Sequence, residues 1–597
     1  MHYVILSQNV VSVRFRHYFD PSCRNISCGS YPVNCPAEMT GDTYTANGIA
    51  YQSCPDYPAL TSSSSTTVYS CTTRKCKITS CPSTQKLNSA GTACINKDDT
   101  CPTNYYKSCE TGTQGDPKYT EAGTACYQCK PNIKISDCAA LKQAIEKATS
   151  NETVTMDADV TCTDTSVTLK DYVTLDGAGH TLAFNLTQIA PKPGLILGRY
   201  SNVSNLTLNM TTKYRGEKTS YVIGVVKDTG ALKIPKEGGY NTIENFNLYL
   251  KADTEPRSES GYYPMVAIEA SPITFKGTNN FIDKGSVCSQ DVNNLTYPVN
   301  AKTAALYATD DTFLLNLGTN AVLNIKTNGC WSTGINYASI NMTDNAKINI
   351  ETYGSSSNGF SDTSGSDDGI ISMSGNTEFN VLAKGDKSSG IFADSIRMTD
   401  NAVLNAYAKN SYAVYYTAMS GNTGLEMKKN SRLNAKTAGT ATNTLAAVEG
   451  RAALYDNAKV NAYNIAGGKA ISIYHQYLTL NNYAEFNSEA TSSSSSCLGS
   501  NVDFTLKSSN AKLRIKCGGT FSPEDSIFST EIENAVVGAT IETPYAKYTC
   551  NTAVSKTVRI PKGNAVDIPN FSKNTGSRLT TMPSDFKSIF TQGIFVK

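Results

Sequence analysis

The sequence has little of several features that mark common functional classes. Its 597 residues include 53 Lys and Arg against 51 Asp and Glu, a balance that does not favour nucleic acid or an anionic membrane as partner. There are only four histidines, and no segment approaches the ~18 consecutive apolar residues of a membrane-spanning helix. The sequence therefore predicts no nucleic-acid partner, no transmembrane segment and no histidine-based catalytic arrangement.

Cysteine, by contrast, is abundant and unevenly placed. Of 19 cysteines, 13 lie at or before Cys138, which predicts small disulfide-stapled modules over residues 1–135 and an oxidising compartment. A zinc site at Cys126-Tyr-Gln-Cys129 is a less favoured alternative, because this is the only such pair and few histidines lie nearby. Residues 1–9 lack the basic and apolar segments of a signal peptide. We interpret the protein as secreted or displayed at the cell surface, and the start of the sequence as truncated or misassigned.

A repeat runs through the second half of the chain. Segments 334–350 and 390–406 both contain Ser-Ile-x-Met-Thr-Asp-Asn-Ala, and a reduced form, Asn-x-x-x-Asn, recurs about every 27 residues. The second asparagines of these units are Asn324, Asn349, Asn380, Asn405, Asn434, Asn461 and Asn487, with Arg514 in the same place in the next unit. The first asparagines are Asn320, Asn345, Asn376, Asn401, Asn430 and Asn457.

Each unit reads as strand. Apolar residues alternate with polar ones, as in Ile348 and Ile350, and two shorter strands precede this one. Three strands per ~27-residue coil predict an all-β, parallel β-helix, because one coil cannot bury its inward face without neighbours. The second asparagine should face outward and form a hydrogen-bonded ladder, while the first should lie at a corner that needs a left-handed conformation. A ligand-binding face made of the outward asparagines is the alternative.

One amphipathic helix is predicted over residues 136–151, with Leu141 and Ile145 on its apolar stripe and Ser136 or Asp137 as its cap. The phrase Val173-Thr-Leu-Asp-Gly-Ala-Gly-His180-Thr-Leu182 follows. Together they resemble the start of β-helices of the pectate-lyase-like superfamily, where a helix caps the open end. The resemblance implies a right-handed parallel β-helix over residues 136–520. Residues 521–597 lose the repeat and are predicted to form a C-terminal cap or linker.

The resemblance also raises the alternative of a polysaccharide lyase or hydrolase. Asp367, Asp368 and Arg397 are weak catalytic candidates, and Asp362 with the same two aspartates is a candidate calcium site. A solvated loop is the more ordinary interpretation of this acidic segment. The sequence lacks the ordered motifs of polygalacturonase-like enzymes, so the prediction leans away from catalysis. No cofactor other than that calcium ion is predicted.

Tyrosine is frequent, with 34 residues, and is dense between positions 412 and 483. Tyr415, Tyr463 and Tyr474 are candidates for contact with a glycan or a protein surface, with packing between coils as the alternative. The chain looks similar to the passenger of a bacterial adhesin or autotransporter. The leading prediction is thus an adhesin or display protein. A structural subunit of a surface layer or appendage, with self-association, is a further alternative.

Overall fold

The computed structural model divides the chain into two units, Met1–Ile133 and Lys134–Lys597. The division lies close to the boundary predicted at residue 135. The structure describes residues 2–6, 9–14, 33–34, 43–53, 75–98, 100–102, 107, 113–114, 118–122, 124–127, 129–130, 135–187, 193–212, 230–234, 240–252, 263–268, 272–288, 303–308, 314–362, 369–416, 424–438, 447–465, 476–491, 502–517, 530–560 and 566–586.

The first unit consists of short antiparallel pairings closed by disulfides. A four-stranded sheet contains Val33–Asn34, Thr43–Ala46, Ile49–Ser53 and Lys75–Ser80. The two-stranded pairs are His2–Leu6 with Asn9–Arg14, Gln85–Leu87 with Cys94–Asn96, Thr113–Gln114 with Cys129–Lys130, and Lys118–Tyr119 with Ala125–Cys126. Disulfides join Cys81 to Cys94 and Cys101 to Cys126, so Cys126 is not a zinc thiolate.

Over the residues that the structure describes, and with strands counted only there, the second unit is a parallel β-solenoid made of three sheets. Sheet 1 has 15 strands: Thr153–Thr155, Thr174–Asp176, Asn202–Ser204, Asn241–Glu244, Ile273–Lys276, Leu314–Leu317, Ser339–Met342, Ile370–Met373, Ser395–Met398, Leu425–Met427, Ala452–Leu454, Gln476–Leu480, Val502–Leu506, Thr530–Ala535 and Val558–Ile560. Sheet 2 has 16: Val160–Thr163, Thr181–Leu186, Thr207–Thr212, Asn247–Ala252, Thr278–Asp283, Val322–Thr327, Lys347–Thr352, Glu378–Ala383, Val403–Lys409, Arg432–Ala438, Lys459–Asn464, Glu485–Ala490, Lys512–Cys517, Thr540–Glu542, Lys547–Cys550 and Phe571–Asn574. Sheet 3 has ten: Val167–Thr168, Pro193–Ile196, Gly230–Ile234, Tyr263–Ile268, Thr303–Ala308, Thr333–Asn336, Asn358–Ser361, Ser389–Ala393, Val414–Tyr416 and Val448–Glu449.

Stacking of like residues holds the coils together. In strand Lys347–Thr352 the side chains alternate between half-buried and buried, and Ile348 pairs in register with Leu323 on one side and Phe379 on the other. Each such side chain contributes roughly 1.5–3 kcal/mol when fully buried. One continuous core extends from Ile135 to Phe571. The predicted parallel β-helix is confirmed as a stack of parallel coils.

The helix spans Cys138–Lys147, shorter than predicted. Asp137 caps it by accepting a hydrogen bond from Ala140 N at 2.8 Å, and Leu141 and Ile145 are buried. It ends where Ala148 takes an extended conformation, and Lys170 caps this end by donating to the carbonyls of Glu146 and Ala148 at 3.0 and 2.6 Å. The Cys138–Cys162 disulfide ties the helix to the first strand of sheet 2. Among the described residues, no helix is long and apolar enough to cross a membrane.

The C-terminal region continues the stack before closing it. Thr530–Ala535 and Thr540–Glu542 still pair parallel with the strands of the preceding coil. Lys547–Cys550, Val558–Ile560 and Phe571–Asn574 then pair antiparallel. Part of residues 521–597 is therefore a further coil, and the antiparallel strands cover the last parallel strands, which would otherwise present unpaired backbone groups. A short 3₁₀ turn follows at Thr575–Ser577.

Candidate binding surfaces

Nine asparagines form an unbroken ladder on the outer face of sheet 2. From Asn280 onward each side-chain Nδ2 donates to the Oδ1 of the asparagine one coil earlier, at distances of 2.6–3.1 Å. All seven predicted members take part, which confirms the ladder. The sequence missed Asn247 and Asn280 because the intervals there are 33 and 44 residues rather than about 27.

Arg514 determines the polarity of this ladder. It occupies the next ladder position, and its Nη1 donates to Asn487 Oδ1 at 3.1 Å. A guanidinium has donors only, so Asn487 must direct its oxygen towards Arg514 and its nitrogen towards Asn461. The same orientation then passes along the ladder to Asn247. The aligned amide dipoles consequently have their negative end at a cation, as a helix does when a basic residue follows it.

The ladder is buried over most of its length. From Asn380 to Asn487 its members are at most 8% exposed, whereas Asn324 and Asn349 are half-buried. The buried amides bond to each other and are shielded from solvent, so these coils do not offer the asparagine face to a ligand. The ladder is a structural element there.

The first asparagines form a second, exposed column at the corner before sheet 2. Five hydrogen bonds of 2.9–3.2 Å link Asn320 to Asn457 through the intervening members. Asn320 and Asn345 have positive φ, as expected. In later coils the left-handed residue is instead the one before the asparagine, as at Asp400 and Asp456. The corner is where it was predicted, but the strained position shifts by one residue.

Two of the predicted tyrosines are partly covered. Tyr415 lies half-buried against Phe392 and Tyr412, with ring centroids 5.3 and 5.4 Å away. Burial, with the charge of Glu449, raises the pKa of Tyr415, and raises that of Tyr412 to about 12. Tyr463 contacts Phe586 edge to face at 5.9 Å. Tyr474 lies outside the described residues.

Of the predicted acidic and basic groups, the structure describes only Asp362 and Arg397, and it places them on different sheets. Asp367 and Asp368 lie outside the described residues. Asp362 is 2% exposed at the end of a sheet 3 strand, packed against Gly369, whereas Arg397 is exposed on sheet 1. Within the described part of the chain, no group of three or more His, Cys, Asp or Glu is placed to hold a metal ion. The calcium and lyase hypotheses remain predictions.

Sequence reasoning missed a column of exposed tyrosines. Tyr172, Tyr200 and Tyr240 are 43, 40 and 64% exposed and each lies just before a strand of sheet 1. They are in register over successive coils, because each lies two residues before one of the paired residues Thr174, Asn202 and Thr242. The rings of Tyr172 and Tyr200 stack at 4.9 Å and 11°, while Tyr240 lies 6.4 Å from Tyr200 and is tilted by 35°. The sequence pattern that could have revealed the column is Tyr-x-x-aliphatic, which occurs at all three positions. We call these residues the tyrosine column.

The backbone is strained at two of the three residues of this column. Tyr172 and Tyr200 have φ of 61° and 56°, a region in which bulky side chains are outliers. The equivalent residue of the preceding coil is Asn151, with φ 64°, and asparagine is the residue type that this conformation favours. The corner therefore does not require tyrosine. Strain at an exposed aromatic position is a reason to test the side chain for a function.

An ion pair joins the residues that precede the two stacked tyrosines. Arg199 Nε and Nη2 donate to Asp171 Oδ2 at 2.8 and 2.7 Å, and Arg199 N donates to Oδ1 at 2.8 Å. Hydrogen bonds from Arg199 hold the pKa of Asp171 below its usual value. Asp171 and Arg199 directly precede Tyr172 and Tyr200 in sequence, so the ion pair links the same two coils as the stacked rings.

No protein-family profile, curated protein or solved structure matches this chain. The β-solenoid is thus established by its own coil stacking and register.

Proposed function

We propose that this chain is a secreted or cell-surface β-helical display protein that binds glycans through the tyrosine column. The observation that carries the proposal is the exposure and register of Tyr172, Tyr200 and Tyr240, combined with backbone strain at Tyr172 and Tyr200. Tyrosine offers a large amphipathic contact area at a low cost in side-chain entropy. Strain at the corner would be relieved by asparagine, so the rings serve another purpose.

The geometry suits a saccharide. Tyr172 and Tyr200 cover one another, but Tyr240 is tilted away and is 64% exposed, which leaves ring surface for the apolar face of a sugar. The phenol hydroxyls and the Asp171–Arg199 pair offer donors and acceptors for sugar hydroxyls. A stack of coils holds these groups at fixed spacing, so little freedom is lost on binding.

The disulfides support the extracellular part of the proposal. Cys138–Cys162 and Cys288–Cys330 lie within the solenoid unit, and Cys81–Cys94 and Cys101–Cys126 lie in the first unit. Disulfides of this number persist in oxidising compartments. Cys550 is a free and buried thiol.

Binding of the full chain to an array of plant, bacterial and animal glycans, followed by calorimetry on the best binder, tests the proposal. Tyr200→Asn removes a ring without adding backbone strain, and Tyr240→Ala removes the tilted ring. Each should weaken binding roughly tenfold or more, the equivalent of about 1.4 kcal/mol. Tyr483→Ala is the matched control, because Tyr483 is 61% exposed but lies outside the column.

Equal binding by all variants would rule out the tyrosine column as the site. An assay for new reducing ends and unsaturated products distinguishes the polysaccharide-degrading alternative. Turnover that persists in the tyrosine variants would contradict a purely glycan-binding role.

A further inference from the structure

The last described segment of the chain, Leu579–Phe586, folds back onto the outer face of sheet 2. We call it the C-terminal strap. It begins where Leu579 N donates to the Thr543 carbonyl at 2.8 Å. Phe586 is fully buried and contacts Tyr463, and Asp585 Oδ2 accepts from Lys459 Nζ at 2.7 Å. The strap therefore covers part of the asparagine ladder, near Asn461.

The strap is anchored separately from the core of the solenoid. Met582 and Phe586 form their own small cluster with Tyr463 and Leu579, apart from the continuous core. The chain from residue 572 to 578 is exposed, as are Thr580 and Thr581. The contacts that offset the conformational entropy of ordering the strap include the buried Met582 and Phe586, the Leu579 N–Thr543 hydrogen bond and the Asp585–Lys459 ion pair. The buried side chains of the strap are not members of the continuous core, so its release leaves the contacts within that core in place.

The covered surface has a defined chemistry. Tyr463 supplies an aromatic face, Lys459 supplies a cation that is only 14% exposed, and the charge of Arg432 also acts on Asp585. A partner must offer a carboxylate next to an aromatic ring. Asp585-Phe586 of the strap is such a pair, and the structure shows it seated there.

We infer that the strap is exchangeable and that the surface formed by Arg432, Lys459 and Tyr463 is the docking site for the strap of a second copy of this chain. Exchange preserves every contact of the docked strap, so it is a low-cost route to a closed dimer. Fully extended, Leu579–Phe586 spans at most about 28 Å, so the two copies must meet near the ends that carry their straps. The inference does not depend on glycan binding.

Complementary charge variants test the exchange. In Lys459→Asp both the surface and the strap are acidic, and in Asp585→Lys both are basic. Full-length chains are followed by size-exclusion chromatography with light scattering, alone and in an equal mixture, with a mass tag on one variant. We expect the wild type to dimerise with rising concentration, each variant alone to stay monomeric, and the mixture to form dimers with one copy of each. A wild type that stays monomeric, with no mixed dimer, overturns the inference.

A second variant guards against a folding defect at Lys459, which also lies 3.7 Å from Glu485. Phe586→Ala removes the main anchor outside the core, so the circular dichroism spectrum should be unchanged while dimerisation weakens tenfold or more. Val537→Ala is the control, because Val537 is an apolar residue of the C-terminal region that is 56% exposed and lies outside the strap. Dimerisation of Phe586→Ala at the wild-type concentration would contradict strap exchange.

Discussion

The asparagine ladder and the tyrosine column both repeat one residue type at the spacing of the coils, yet they differ in every physical respect. Asn405 is 8% exposed, donates to Asn380 and accepts from Asn434, both at 2.7 Å. Tyr200 is 40% exposed and has a strained backbone. Recurrence alone therefore does not separate a structural column from a binding surface. Burial and hydrogen-bond saturation separate them, because a saturated, buried group has nothing left to offer a ligand.

The C-terminal ends of sheets 1 and 2 repeat this contrast in charge. The ladder on sheet 2 ends at Arg514, which donates to Glu485 and Glu542 at 3.0 and 2.8 Å. On sheet 1, Asp503 lies directly beside Glu531. Burial, with the charges of Glu533 and Glu531, raises the pKa of Asp503 to about 6. At this end of sheet 2 the glutamates are paired with a cation, whereas on sheet 1 Asp503 is repelled by neighbouring glutamates.

Replacing Arg514 should have the largest effect. Arg514→Met leaves Asn487 Oδ1 without its donor and Glu485 without its closest cation, so we expect the free energy of unfolding to fall by about 3 kcal/mol in denaturant titrations. Arg514→Lys should recover part of this loss. Burial acts to raise the pKa of Glu485, but the charge and hydrogen bond of Arg514, with Lys459 and Lys512, outweigh it and keep the pKa low.

The sign of the pH dependence follows from that lowered pKa. The contribution of Glu485 is present above its unfolded pKa of roughly 4 and is lost as pH falls through the lower folded value. The difference between wild type and Arg514→Met should therefore shrink at acid pH. A difference that grows as the pH falls would contradict the role assigned to Arg514.

A pair of substitutions in one coil isolates the effect of burial. Asn401 and Asn405 both donate to and accept from asparagines in adjacent coils, but Asn401 is exposed. Asn405→Ala leaves a buried acceptor and a buried donor unpaired, so it should cost about 2 kcal/mol of unfolding free energy. Asn401→Ala should cost less than about 1 kcal/mol, because water replaces the lost bonds. Equal losses would show that burial does not distinguish the two columns.

Asp503→Asn should reveal the repulsion at the end of sheet 1. Because the pKa of Asp503 is raised in the folded state, this carboxyl does not destabilise the protein below its unfolded pKa. As the pH rises through about 6, the carboxyl ionises beside the two glutamates and the free energy of unfolding falls. The variant should therefore melt above wild type at pH 7 and at the same temperature near pH 3.5. The gain should be below about 1 kcal/mol, because solvent screens a half-buried pair. A variant less stable than wild type at pH 7 would contradict the repulsion.

The smallest change in stability is expected in the tyrosine column. Tyr200→Asn relieves backbone strain but loses stacking on Tyr172, so the free energy of unfolding should change by less than about 0.5 kcal/mol. Thermal melts of the full chain measure this. A large destabilisation would show that the column is structural, as the asparagine ladder is.

Much of the solenoid could be predicted from local pattern. The alternation around Ile348 and Ile350 set which residues face inward, and the Asn-x-x-x-Asn repeat set the register that pairs Asn324 with Asn349. The helix and its Asp137 cap also followed from local sequence, although the helix ends earlier, where Lys170 of the next coil caps it. Local period determines the facing of side chains, but it does not report contacts made by a neighbouring coil.

The candidate surfaces depended on tertiary structure. Tyr172, Tyr200 and Tyr240 are 28 and 40 residues apart, and only coil stacking makes them neighbours. The strap covers Tyr463 from more than a hundred residues away in sequence, and Asn380 is buried although it alternates with the inward residues. The sequence by itself determined strand type, facing and the asparagine register, because these arise from a period of two and a repeat of about 27. Which side chains are exposed and which residues they contact depended on the tertiary structure, because distant segments of the chain cover some faces of the solenoid and not others.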